Sequence, residues 1–175
     1  FRVWAQILKR VPGSVLWLLG QDIALQKNLK REAKRLGVSP ERLVFAPKLE
    51  LEQHFARIAL ADLFLDTFPY NAHTTASDAI RAGVPIVTMK GRSFPSRVAA
   101  SILSTLGIND LITENSASYI ELAVTLASDS ARLWNIKSQL SRERLNEILF
   151  NPEKFALDLE KIFEQLVNKN GKRPH

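Results

Sequence analysis

The stretch Asp66-Thr67-Phe68-Pro69-Tyr70-Asn71-Ala72-His73-Thr74-Thr75-Ala76-Ser77-Asp78 gathers carboxylates, a histidine, an asparagine and several hydroxyls in one short span. An apolar, strand-like run, Leu63 to Leu65, feeds into it, and a helical pattern starting near Thr75 leaves it. A polar loop between a strand and a helix N-terminus is an anion site in the making. The first helical turn leaves N–H groups without intrahelical partners, and the helix dipole adds partial positive charge there. His73, Thr74 and Thr75 add side-chain donors at the same spot, so the chemistry on offer is phosphate binding. Without a ligand, Thr75 reads as an N-cap and Asp78, three residues on, as its capping-box partner. Capping alone leaves Asn71 and His73 unexplained.

The elements that must position this loop alternate between helix and strand signals. Arg2 to Arg10 is helical, with Val3, Trp4, Ile7, Leu8 and Val11 on one face and Pro12-Gly13 ending it. Val15 to Leu19, Leu43 to Ala46, Asp62 to Asp66 and Pro85 to Met89 read as strands, and Leu111-Ile112 as a short edge strand. Between them, helices are expected over Asp22 to Leu36 (Leu25, Leu29, Ala33 and Leu36 inward), Leu51 to Leu60, Thr75 to Ala82 and Ser96 to Leu106, with Ser96 as a cap. The remainder is helical: Ser116 to Ser128, Ser130 to Leu149 and Pro152 to Asn168, with Trp134, Phe150, Phe155 and Phe163 expected inward. Strands separated by single helices imply right-handed crossovers and a mostly parallel sheet with helices on both faces. Such sheets bind ligands at the carboxyl ends of their strands. The His73 loop and the loop from Lys90 to Pro95, which includes the basic turn Lys90-Gly91-Arg92-Ser93, both lie there and can form two lips of one crevice.

Composition narrows the class. The chain has 175 residues, 46% hydrophobic and 24% charged, as an ordinary globular domain does. Its net charge of +6 comes from dispersed basic residues, with local groups at Lys27 to Arg35 and Lys169 to Arg173. The first reads as a solvated helix face and the second as a disordered tail, giving a domain over 1–168 and a basic tail over 169–175. No apolar run approaches the ~20 residues of a membrane helix. The absence of cysteine excludes disulfides and thiolate chemistry and fits a reducing, cytoplasmic location. The dinucleotide fingerprint, the P-loop and the nucleophile elbow are missing, and the three histidines lack metal-ligand spacing. No aromatic-basic interleaving supports nucleic-acid binding.

The motifs that remain carry a resemblance. Asp66-Thr67, Pro69-Tyr70-Asn71-Ala72-His73-Thr74-Thr75, Asp78, Gly83-Val84-Pro85-Ile86-Val87-Thr88 and Ser96-Arg97-Val98-Ala99-Ala100-Ser101 together resemble the C-terminal half of the O-GlcNAc transferase catalytic region. Trp4 to Pro12, Ser14 to Leu19 and Leu60-Ala61-Asp62 are similar to the same family, and the likeness runs from Trp4 to about Leu166. It implies a GT-B architecture of two facing Rossmann-like domains, of which this chain is the donor-binding one: a three-layer α/β domain with extra C-terminal helices. It implies that His73, Thr74 and Thr75 bind the phosphates of UDP-GlcNAc, Asp78 the ribose, and His54 and Arg57 the uracil. It implies a protein acceptor whose Ser or Thr is glycosylated with inversion; the sequence has no Asp-x-Asp metal motif, so no metal and no cofactor are expected.

Some positions depart from the family. Ala72 and Ala76 stand where glycine is common and Arg81 where tryptophan is common. Leu51 takes the place of a ribose-contacting lysine, and Lys48 is off register. The chain opens on Phe1 and is expected to be a piece of a longer protein, lacking the first strand of its domain and the acceptor-side domain. The piece is therefore expected to be inactive alone, with the catalytic base elsewhere. A non-catalytic domain that keeps the fold for protein interaction or regulation is the alternative.

Overall fold

The computed structural model describes residues 1–170, with side chains through Asn168. The expected alternation is present: α1 Arg2–Arg10, β1 Leu16–Leu19, α2 Ile23–Arg35, β2 Leu43–Ala46, α3 Leu51–Ile58, β3 Phe64–Leu65, α4 Thr74–Arg81, β4 Ile86–Met89, α5 Val98–Thr105, β5 Ile112–Thr113, α6 Ser116–Ser128, α7 Ser130–Ser138, α8 Arg142–Ile148 and α9 Pro152–Asn170. Every strand pairing is parallel, as one-helix crossovers require. The strands hydrogen-bond in two sets rather than one ladder: β1 with β2, and β3–β4–β5 with β4 central.

Local chemistry sets the boundaries. Asp22 caps α2 by accepting from the N–H groups of Ala24 and Leu25 at 2.7 and 3.1 Å. Gly83, at φ +77°, ends α4 in the left-handed region, and the Val84 N–H folds back to the Ala79 carbonyl. Gly91 is required for space: a Cβ there would lie 2.7 Å from Ser96 Cβ.

The larger core surrounds β4, whose Ile86 and Val87 are fully buried with Ile80, Leu103, Leu111 and Leu126. A smaller one joins α1 and α2 to the first strand pair through Ala5, Leu8, Leu16, Ala33, Val38 and Leu43. Trp4 touches both.

Several expectations are corrected. The strand over 62–66 shrinks to Phe64–Leu65, because the Ala61 N–H still closes a turn on the Ile58 carbonyl. The long helix over 130–149 is two helices, broken where Ser141 caps α8. Ser96 caps nothing: it is buried in a 3₁₀ turn, Phe94–Ser96, its hydroxyl donating to the Ser93 carbonyl at 2.8 Å. Leu25 is exposed, while Ala33 alone of α2 is fully buried, clustered with Ala5 and Leu8 of α1 and Leu16 of β1. Trp134, Phe155 and Phe163 are exposed, and only Phe150 packs on the core. The apolar stripe of α9 exists, but nothing among the described residues covers it. Residues 171–175 of the expected tail lie outside the described residues, and positions 169 and 170 continue α9.

Arg81, one of the departures noted above, meets two aromatic rings. Its guanidinium, on an exposed side chain, lies 5.6 Å from the Phe55 ring and 5.4 Å from the Phe150 ring.

Candidate functional site

The site is built on the loop between β3 and α4, and Asp66 organises it. The residue is fully buried at the carboxyl end of β3. Its Oδ1 accepts from the N–H groups of Thr67 and Ala72 at 2.8 and 2.7 Å, and its Oδ2 from the Thr88 hydroxyl at 2.6 Å. The Tyr119 hydroxyl, held above the usual phenol pKa by burial, donates to the Asp66 carbonyl at 2.9 Å and receives the Trp4 indole N–H at 3.4 Å. The turn that results contains a cis Phe68–Pro69 peptide. Asn71, also buried, donates to the Thr67 carbonyl at 2.8 Å, while its Oδ1 is buried without a partner.

The loop delivers His73 to the cap position of α4, which begins at Thr74 rather than with Thr75 as cap. The expected capping box is therefore absent. The His73 carbonyl takes the N–H groups of Ala76 and Ser77 instead, and Asp78 lies a turn further along. Among the described residues no acceptor meets the N–H of Thr74 or Thr75, and both residues are exposed. The His73 ring stacks on Tyr70 at 5.0 Å and meets the edge of Phe94 at 6.2 Å, with its Nε2 buried and unpartnered. Free amides at a helix start beside an unpartnered imidazole nitrogen form a donor set suited to an anionic oxygen.

The second lip meets the first: the Asn71 N–H donates to the Pro95 carbonyl at 2.8 Å. On the other side, α3 packs on α4 and places His54 Nε2 3.8 Å from Asp78 Oδ2. Arg57, one turn on, faces a different way. It donates to the Pro47 carbonyl at 2.6 Å and lies over the Trp17 ring at 5.9 Å. The fold thus unites His73, Thr74 and Thr75 along one helix start and His54 with Asp78 beside it, while Arg57 stands toward β1. These residues form an open ledge. A concavity of about 850 Å³ lies beyond Phe94 between Lys90, Arg97, Ser101, Asn109 and Glu114, and none of the candidate ledge residues lines it.

Spacing alone gave no role to Asp66, Asn71 or Tyr70. The available signal was the aspartate ending an apolar strand, whose partners Thr88 and Tyr119 lie 22 and 53 residues away.

A parallel α/β fold with helices between its strands and a donor-rich helix start at a strand's carboxyl end is of the Rossmann-like class. Residues 1–159 match the model of glycosyl transferase family 41. A Caenorhabditis elegans UDP-N-acetylglucosamine-peptide N-acetylglucosaminyltransferase is 35% identical over 164 residues, 94% of this chain and 14% of that one. The Arabidopsis thaliana relative named "Probable UDP-N-acetylglucosamine--peptide N-acetylglucosaminyltransferase SEC" is 34% identical over 98% of this chain and 18% of its own. A solved structure of a mutant Thermobaculum terrenum O-GlcNAc transferase superposes with a TM-score of 0.88 at 29% identity, covering 94% of this chain and 32% of that one. The chain belongs to glycosyl transferase family 41, the O-GlcNAc transferases. It spans less than a fifth of the length of these two curated relatives. No helix among the described residues is long and apolar enough to cross a membrane.

Proposed function

We propose that this chain is the donor-binding part of an inverting protein O-GlcNAc transferase, and that the ledge at the carboxyl ends of β3 and β4 holds the UDP of UDP-GlcNAc. The observation that carries the reading is the helix start itself: unengaged N–H groups of Thr74 and Thr75 beside a buried, unpartnered His73 Nε2. The diphosphate lies along this start, where amides, hydroxyls and imidazole offset its charge without a metal held by the protein. Asp78 accepts from the ribose hydroxyls, and His54, 3.8 Å away, stands on the uracil side. Arg57 joins it by turning from the Pro47 carbonyl to stack on the base.

In the reaction, an acceptor Ser or Thr oxygen bonds to the anomeric carbon as the bond to the β-phosphate oxygen breaks, with inversion. The electron pair leaves on UDP, and these donors stabilise it. The hydroxyl proton passes to a group outside this chain's named site. Acceptor and base come from other parts of the parent, so the piece is inactive alone. A chain without cysteine suits the cytoplasm.

Isothermal titration with UDP tests the site. His73→Ala and Asp78→Ala are each expected to weaken binding about tenfold, the size of one lost hydrogen bond to a charged group. Absence of UDP binding in the full-length parent would overturn the reading.

A further inference from the structure

We propose that Asp66 is the positioning residue of this site: its carboxylate, hydrogen-bonded at Thr67, Ala72 and Thr88, is the strut that aims the first amides of α4 and the His73 ring at the ligand. The inference rests on the UDP reading above for the ligand's identity, but not for the strut itself. The geometry is specific. One carboxylate oxygen binds both ends of the turn, the Thr67 N–H at 2.8 Å and the Ala72 N–H at 2.7 Å, so it fixes the chord of the loop between them. The other is anchored to the Thr88 hydroxyl of β4 at 2.6 Å, so the loop is held against the central strand. Thr88 is in turn tied to β5, its carbonyl accepting from the Thr113 hydroxyl at 2.9 Å. Ala72 immediately precedes His73, and an error in its amide direction is passed directly to the helix start. Asp66 itself is fully buried, so it acts on a ligand only through these groups.

Two substitutions separate hydrogen bonding from bulk packing. Asp66→Asn keeps an oxygen for both amides, and its new NH₂ donates to a rotated Thr88 hydroxyl. Asp66→Ala removes every bond. Titrated with UDP well below their melting temperatures, the asparagine variant is expected within about threefold of the parent chain, and the alanine variant weakened more than about tenfold. Equal losses in the two variants, or alanine binding as tightly as the parent chain, would overturn the strut. Amide NMR gives the readout that needs no ligand. The Ala72, His73, Thr74 and Thr75 signals should shift and exchange faster in Asp66→Ala and stay in place in Asp66→Asn. If the full-length parent binds no UDP while these amides respond as stated, the ligand reading fails and the strut stands. If they are unmoved in Asp66→Ala, the strut fails whatever UDP does. Should Asp66→Ala not fold, Thr88→Val, which removes one bond, is expected to move the same amides and lower UDP affinity about fivefold; no movement would reject the proposal.

Discussion

Asp66 brings a carboxylate into the interior with donors at both oxygens, yet burial raises its pKa above the ordinary carboxylate range, the hydrogen bonds from Thr88, Ala72 and Thr67 opposing only part of the shift. The sign of the consequence follows by linkage. A carboxyl whose pKa is higher folded than unfolded binds more protons in the folded state, so stability falls as pH rises through the folded value. At neutral pH the charged side chain is a net cost, carried for the geometry of the loop. Asp66→Asn is therefore expected to unfold at higher urea than the unsubstituted chain at pH 7, with the gap closing below the ordinary aspartate value of about 3.9. A less stable Asn variant at pH 7 would show that the charge-assisted bonds outweigh burial.

The elements are held in register by a few residues of unusual placement. Arg81 joins α4 to α3 through Phe55 and to the end of α8 through Phe150. Arg81→Ala should lower stability by roughly 0.5 kcal/mol, the scale of an exposed cation–π contact. Arg81→Trp should recover most of that, as urea unfolding would read. Helix α9 is different in kind. Phe155, Leu159, Ile162, Phe163 and Leu166 recur at helical spacing, yet each is exposed. An amphipathic period marks an apolar stripe but not the surface that meets it.

Across the whole molecule, two cores share Trp4, and the chain of bonds from Trp4 through Tyr119 to Asp66 ties α1 and α6 to the site. The unequal burial predicts unequal mutational costs. Leu103→Ala, at a fully buried position in the larger core, is expected to cost about 2–5 kcal/mol, and Phe163→Lys, on the open stripe, less than about 0.5 kcal/mol. Urea unfolding of both variants checks the contrast. The sequence by itself determined the alternation of elements, the parallel pairing it forces, the glycine stops and the donor-rich start of α4. These follow from periodicity, left-handed glycine positions and chain connectivity, all local in the chain. Only the tertiary structure decided that Asp66 and Asn71 are buried, that His73 caps α4, that Arg57 turns to Trp17, and that Leu25, Trp134 and α9 face outward. Those outcomes depend on partners tens of residues away and on which apolar faces find a neighbour, and residue spacing encodes neither.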